Sequence, residues 1–140
     1  MNRGDGDNPT LAVGLSATVE EEVTADMTAA AVGSGDVSVL ATPVILSLVE
    51  RAAVQAVRDH LPKGTTSVGA SVALAHHVPT PVGARVLAHV QLDQIDGRRL
   101  RFRFTVSDGT GEVASGTHVR VLVVRETFEA RAQARGGARD

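Results

Sequence analysis

Few residues of this 140-residue chain can do chemistry, and the first to examine is Glu50. It lies in TPVILSLVERAAVQAV (residues 42–57), a lone carboxylate two turns into an apolar run. On a helix its neighbours are Leu46, Ser47, Ala53 and Val54, none of them a cation. Arg51 is adjacent in sequence but points about 100° away. A half-buried carboxylate is costly unless a distant group satisfies it. Two readings follow: an edge-of-stripe Glu that reaches water or a structural ion pair, and a general base or nucleophile tuned by its surroundings. The other candidates are the five histidines: His60, His76, His77, His89 and His118. None forms a sequence-local pair with helical metal-site spacing, and the adjacent His76 and His77 diverge on a strand, so no metal site is expected. The chain has no cysteine, which removes thiolate metal sites, disulfides and cysteine nucleophiles.

The elements that position these groups follow from periodicity. Thr42 reads as an N-cap and Pro43 as the first helical residue, opening a buried helix that runs to about residue 61, before LPKG. Before it, residues 15–23 alternate weakly as a first strand, and 24–36 read as a strand fragment plus a loop or lid over the helix start. After it the period becomes two. In residues 67–78 Val68, Ala70, Val72, Leu74 and His76 share one face, with Gly69, Ser71 and His77 on the other. That parity favours His76 over His77 for a role under the helix, and a bulge would reverse the choice. Residues 84–95 and 98–107 form a hairpin around Asp96-Gly97, and 112–126 are a long last strand followed by a short helix. The arginines at 99, 101 and 103 mark the solvent face of their strand, opposite Leu100, Phe102, Phe104 and Val106. The order is strand, buried helix, then four long antiparallel strands: an α+β class, with one helix against a curved sheet.

Composition narrows the function. The length suits one domain, expected over residues 10–130, between a disordered 1–9 and a flexible tail at 131–140. A net charge of −2 and only three aromatic residues, Phe102, Phe104 and Phe128, give no basis for nucleic-acid binding. No apolar run reaches membrane-span length and the N-terminus lacks a basic-then-apolar leader, so a cytoplasmic location away from membranes is expected.

Four ordered segments, GSGDVSVLATPVILSLVE, TSVGASVALAHHVPTPVG, DGRRLRFRF and SGTHVRVLV, resemble the hot-dog-fold thioesterases related to fluoroacetyl-CoA thioesterase. The resemblance spans roughly residues 15 to 130. It implies a hot-dog fold, one long central helix wrapped by a curved antiparallel sheet of about five strands, assembled as a homodimer with sites at the subunit interface. It implies hydrolysis of a small acyl-CoA without a cofactor, CoA being part of the substrate. By its motifs Thr42, Glu50 and His76 are the catalytic group, Gly69 offers its backbone N–H to the thioester carbonyl, and Arg120 lies near the active site. Parity places Arg120 with His118, opposite Val119, Val121 and Val123, which fits a solvated or interface arginine as well. The segment before Thr42 is shorter than in the fluoroacetyl-specific enzyme and carries no aromatic lid, which implies a different or broader acyl group. A non-catalytic acyl-CoA or small-ligand binding module on the same fold is the alternative. A hot-dog hydratase or dehydratase is disfavoured, because residues 36–46 hold Asp36 but no histidine to pair with it.

Overall fold

The computed structural model describes residues 11–137, and the expected disordered N-terminus lies outside them. Five strands form one antiparallel sheet: β1 (Ser16–Glu22), β2 (Thr65–His76), β3 (Arg85–Asp96), β4 (Arg99–Asp108) and β5 (Gly111–Val124). Their spatial order is β1-β3-β4-β5-β2, so β1 and β2 are the edges. A four-residue helix, α1 (Ala29–Val32), precedes the long helix α2 (Thr42–Val57), and α3 (Arg125–Gly137) follows β5. The expected strand, buried helix and four antiparallel strands are all present. No helix among the described residues is long and apolar enough to cross a membrane.

The α2 sequence explains its seat. Ile45, Leu48, Val49, Ala52, Ala53, Ala56 and Val57 recur at helical spacing and are buried. The alanines let the backbone approach the sheet closely. Facing them are Val86, Ala88, Val90 and Leu92 of β3 and Leu100, Phe102, Phe104 and Val106 of β4, the inward half of two alternating strands. Each Val, Leu or Phe among them contributes about 1.5–3 kcal/mol by leaving water. The helix lies mainly over β1 and β3, toward one side of the sheet. Its flank of Leu46, Glu50 and Val54 stays half-covered.

Four sequence expectations change. Residues 25–27 and 29–32 are helical turns, and of the expected strand fragment only Thr28 bridges to Leu40: Thr28 accepts from Ala31 N–H, three alanines follow, and Gly33 closes the turn at φ 87°. The long helix ends at Val57, and a 3₁₀ turn carries the chain to His60. The β3–β4 turn residues are Gly97 and Arg98, one place later than read, with Gly97 at φ 60°. Most important for function, Thr42 is not the N-cap. Ala41 is, and it makes no side-chain cap bond, so the Thr42 hydroxyl sits on the first helical residue and is free to point elsewhere.

The outward face of β4 is solvent-exposed as expected, and Arg101 and Arg103 both bond Asp93 at 3.2 Å.

Candidate active site

The start of α2 is held from two sides. Ala41 N–H donates to Met27 O, and Leu40 N–H donates to Thr80 O beyond the end of β2. This brings Thr42 to His76, the last residue of β2, with Thr42 Oγ1 and His76 Nδ1 2.8 Å apart. The other ring nitrogen of His76, Nε2, is buried and has no hydrogen-bond partner. His76 thus turns toward the helix start, whereas His77 faces outward to Ser115 Oγ at 3.0 Å and Glu112 at 3.2 Å.

Two turns down the helix is a second group. Glu50 meets Arg120 Nη1 at 3.5 Å, a partner 70 residues away that no local pattern could name. Arg120 is 5% exposed, which overturns its reading as a solvated residue. Its Nε–H donates to Ser67 Oγ at 2.8 Å, its Nη2 to Ser67 O at 3.0 Å, and its Nη1 to His118 Nε2 at 3.1 Å. Burial lowers the Arg120 pKa from its ordinary value, and the Glu50 carboxylate opposes that shift.

Gly69 fits the carboxylate for a steric reason. A Cβ built there would overlap Glu50 Oε2 and would stand 3.4 Å from His118 Cε1 and 3.5 Å from Arg120 Nη1. The backbone of β2 is thus bare where the carboxylate lies against it.

A β-bulge between Gly69 and Ser71 makes this arrangement compatible with His76. The two-residue period places Gly69 and His76 on opposite faces. The bulge adds one residue, so Ser67 and Gly69 before it and Leu74 and His76 after it all turn toward the helix. The bulge does not reverse the choice of His76, because it acts upstream of it. Val68 and Gly69 are the residues whose assigned faces change.

Within one chain the sequence-derived residues therefore form two clusters, Thr42 with His76 and Glu50 with Gly69 and Arg120. Eight helical residues separate Thr42 from Glu50, about 12 Å along the axis. Seven strand residues separate Gly69 from His76, about 20 Å. Glu50 borders a cleft of about 200 Å³ with Leu46, Gly69, Val72 and His118, and a second of about 510 Å³ with Arg51, Gln55 and Arg58. A further cleft of about 430 Å³ opens on the other face of the sheet, around His89, Arg103 and Thr117. Two of its polar groups are engaged elsewhere, His89 with Thr18 and Arg103 with Asp93. Among the described residues no group of three His, Cys, Asp or Glu is placed to hold a metal ion.

His118 is the site residue that sequence reasoning passed over. It is 2% exposed, and its Nδ1 lies 2.9 Å from Ser71 O. The only sequence signal was its shared parity with Arg120, taken there as a sign of exposure.

Residues 23–126 match the family model described as fluoroacetyl-CoA-specific thioesterase. The fluoroacetyl-CoA thioesterase of Streptantibioticus cattleyicolor is 37% identical over 93 residues, 66% of this chain and 67% of that protein. A solved structure of the fluoroacetyl-CoA thioesterase superposes with a TM-score of 0.83 at 30% identity, covering 89% of this chain and 97% of that one. A hot-dog-like protein from Thermanaerovibrio acidaminovorans gives a TM-score of 0.81 at 26% identity, covering 88% and 91%. With the family's motifs in sequence and its sheet and helix in space, this chain belongs to the fluoroacetyl-CoA-specific thioesterase family, and it is a thioester hydrolase with the hot-dog fold.

Proposed function

We propose that the chain hydrolyses a small acyl-CoA at a site shared between two copies, with Glu50 driving the attack on the thioester. The observation that carries this reading is the Glu50 carboxylate, laid against the side-chain-free backbone of Gly69 and faced by a buried arginine. As general base, Glu50 takes a proton from water, and the hydroxide adds to the thioester carbonyl carbon. The oxyanion that forms is met by the Gly69 N–H. The C–S bond then breaks, and the proton that Glu50 took from water passes by way of His76 to the CoA thiolate. As nucleophile, Glu50 would instead form an acyl anhydride that water opens. Single turnover in ¹⁸O-water separates the two, because only the second route can leave label in Glu50.

The two clusters explain why two copies are needed. A single thioester cannot touch groups some 12 to 20 Å apart along their elements. Leu46 stands midway between Thr42 and Glu50, Val72 stands close to midway between Gly69 and His76, and both line the same cleft. A twofold axis passing there pairs the free edge of β2 with its copy in antiparallel fashion. It also brings the partner's Thr42 and the partner's His76 to Glu50 and Gly69. Val72, on that edge, is 39% exposed in the single chain. The resulting homodimer is the assembly we propose.

The acyl group follows from the segment before α2. Residues 33–38, GSGDVS, are all exposed and none is aromatic, so a wider range of short acyl groups than fluoroacetyl is proposed.

The test is thiol release from a panel of acyl-CoAs, free of protein thiol background because the chain has no cysteine. Glu50→Gln should lower turnover by about 10²- to 10⁴-fold while leaving the fold intact. Mixing Thr42→Ala with Glu50→Gln chains should then restore about a quarter of wild-type activity, since half of the dimers are hybrid and each has one intact composite site. A mixture no more active than the average of its components would return the whole site to one chain. CoA-ester binding with no thiol release from any ester would make the protein a binding module instead.

A further inference from the structure

We infer that His118 is a positioning residue, a neutral imidazole that ties the β2 bulge to Arg120 and so holds the guanidinium against Glu50. The inference rests on the proposal that Glu50 drives hydrolysis. Its geometry stands independently of that proposal.

The two partners of His118 dictate its protonation. Ser71 O can only accept, so Nδ1 carries the hydrogen; Arg120 can only donate, so Nε2 carries none. The ring is thus a two-ended connector, donating to one strand and accepting from its own. At the first end it holds the carbonyl of Ser71, where the register of β2 shifts after Gly69. At the second end it takes one hydrogen of Arg120 Nη1, the same nitrogen that faces Glu50 at 3.5 Å. With Nε and Nη2 bound to Ser67, the guanidinium is held along three directions and keeps one aim. Phe102 stacks on the ring at 6.3 Å between centroids and fixes its plane. A protonated His118 would turn an N–H toward the Arg120 N–H and break the second connection. Besides Arg120, the charged group facing this ring is Glu50.

An amide can occupy only one end of the imidazole, so two substitutions separate the two roles. The carboxamide of His118→Asn lies where Nδ1 was and can keep the Ser71 bond. The carboxamide of His118→Gln reaches the place of Nε2 and can accept from Arg120. His118→Leu keeps neither. The expected order of kcat is wild type, then Gln, then Asn and Leu together. The last two should fall about 10- to 100-fold with KM within about twofold, as expected when a reacting group is misplaced rather than removed. Melting temperatures measured alongside remove the effect of packing: a purely structural histidine would order the variants by stability and leave kcat untouched in those that fold. A second readout needs no turnover. The Nη1 hydrogens of Arg120 should be resolved and slowly exchanging by NMR in wild type and His118→Gln, and averaged in His118→Asn and His118→Leu. If wild type releases no thiol, the hydrolytic proposal fails while this readout still tests the connector. A glutamine variant no better than asparagine in both readouts, or a folded leucine variant with wild-type kcat, would overturn the inference.

Discussion

The two ends of α2 hold their chemistry in different ways. At the first turn, Thr42 meets His76 through one hydrogen bond at an exposed threonine, and the buried Nε2 of His76 is left without a partner. Two turns on, Glu50 is backed by Arg120 and His118, 5% and 2% exposed, whose hydrogen bonds run to Ser67 and Ser71. The first end rests on that one hydrogen bond. The second is rigid before anything binds. The contrast fits a site in which one end aims the attacking group and the other meets the substrate as it arrives.

The largest contrast should come from two glycines on paired strands. A methyl at Gly69 meets the far end of a flexible side chain, Glu50 Oε2, whereas one at Gly116 would run into the backbone carbonyl of Ala73. Gly69→Ala should therefore fold with a melting temperature near wild type and lose about 10²-fold in kcat, because the carboxylate is pushed from its seat. Gly116→Ala should cost about 1–3 kcal/mol or more of stability through overpacking. Thermal melts read beside thiol release would contradict this if the two variants behaved alike.

A smaller effect is expected at the first end. Thr42 makes no capping bond, so Thr42→Ala should change stability by no more than about 0.5 kcal/mol. Its turnover should still fall about tenfold, and Thr42→Ser, which keeps the hydroxyl, should recover most of it. A stability loss near 1 kcal/mol, the usual worth of an N-cap, would show that the hydroxyl serves the helix after all.

The smallest effect concerns pH. Burial lowers the His118 pKa below the ordinary histidine value of 6.5, Arg120 adds to the shift, and the Ser71 bond and Glu50 oppose it. The unfolded chain then takes up the proton first as pH falls. The stability contributed by neutral His118 is full above about pH 6.5 and is lost as pH drops through the folded-state value. Urea unfolding at pH 7.5 and pH 5 should show a smaller pH-dependent loss in His118→Leu than in wild type. Equal losses would mean that other groups carry the acid sensitivity.

Local pattern determined much of this protein. The apolar spacing from Ile45 to Val57, the clean alternation of Leu100, Phe102, Phe104 and Val106, and the turn signal at Asp96-Gly97, one place early, were enough for one helix on an antiparallel sheet, because each depends on residues two to four places apart. The oddity of Glu50 was legible for the same reason: its neighbours on the helix were known, and none was a cation. Only the tertiary structure decided which group meets it. Arg120 reaches Glu50 across 70 residues, and the bulge after Gly69 breaks the parity from which faces are counted. Parity also read β5 the wrong way round, since a His and an Arg look like a solvent face until a carboxylate partner and a strand carbonyl satisfy them. A sequence records period and composition along the chain. Which polar groups meet across it is set by the register of strands and the seat of a helix, and there the buried charge finds its counterpart.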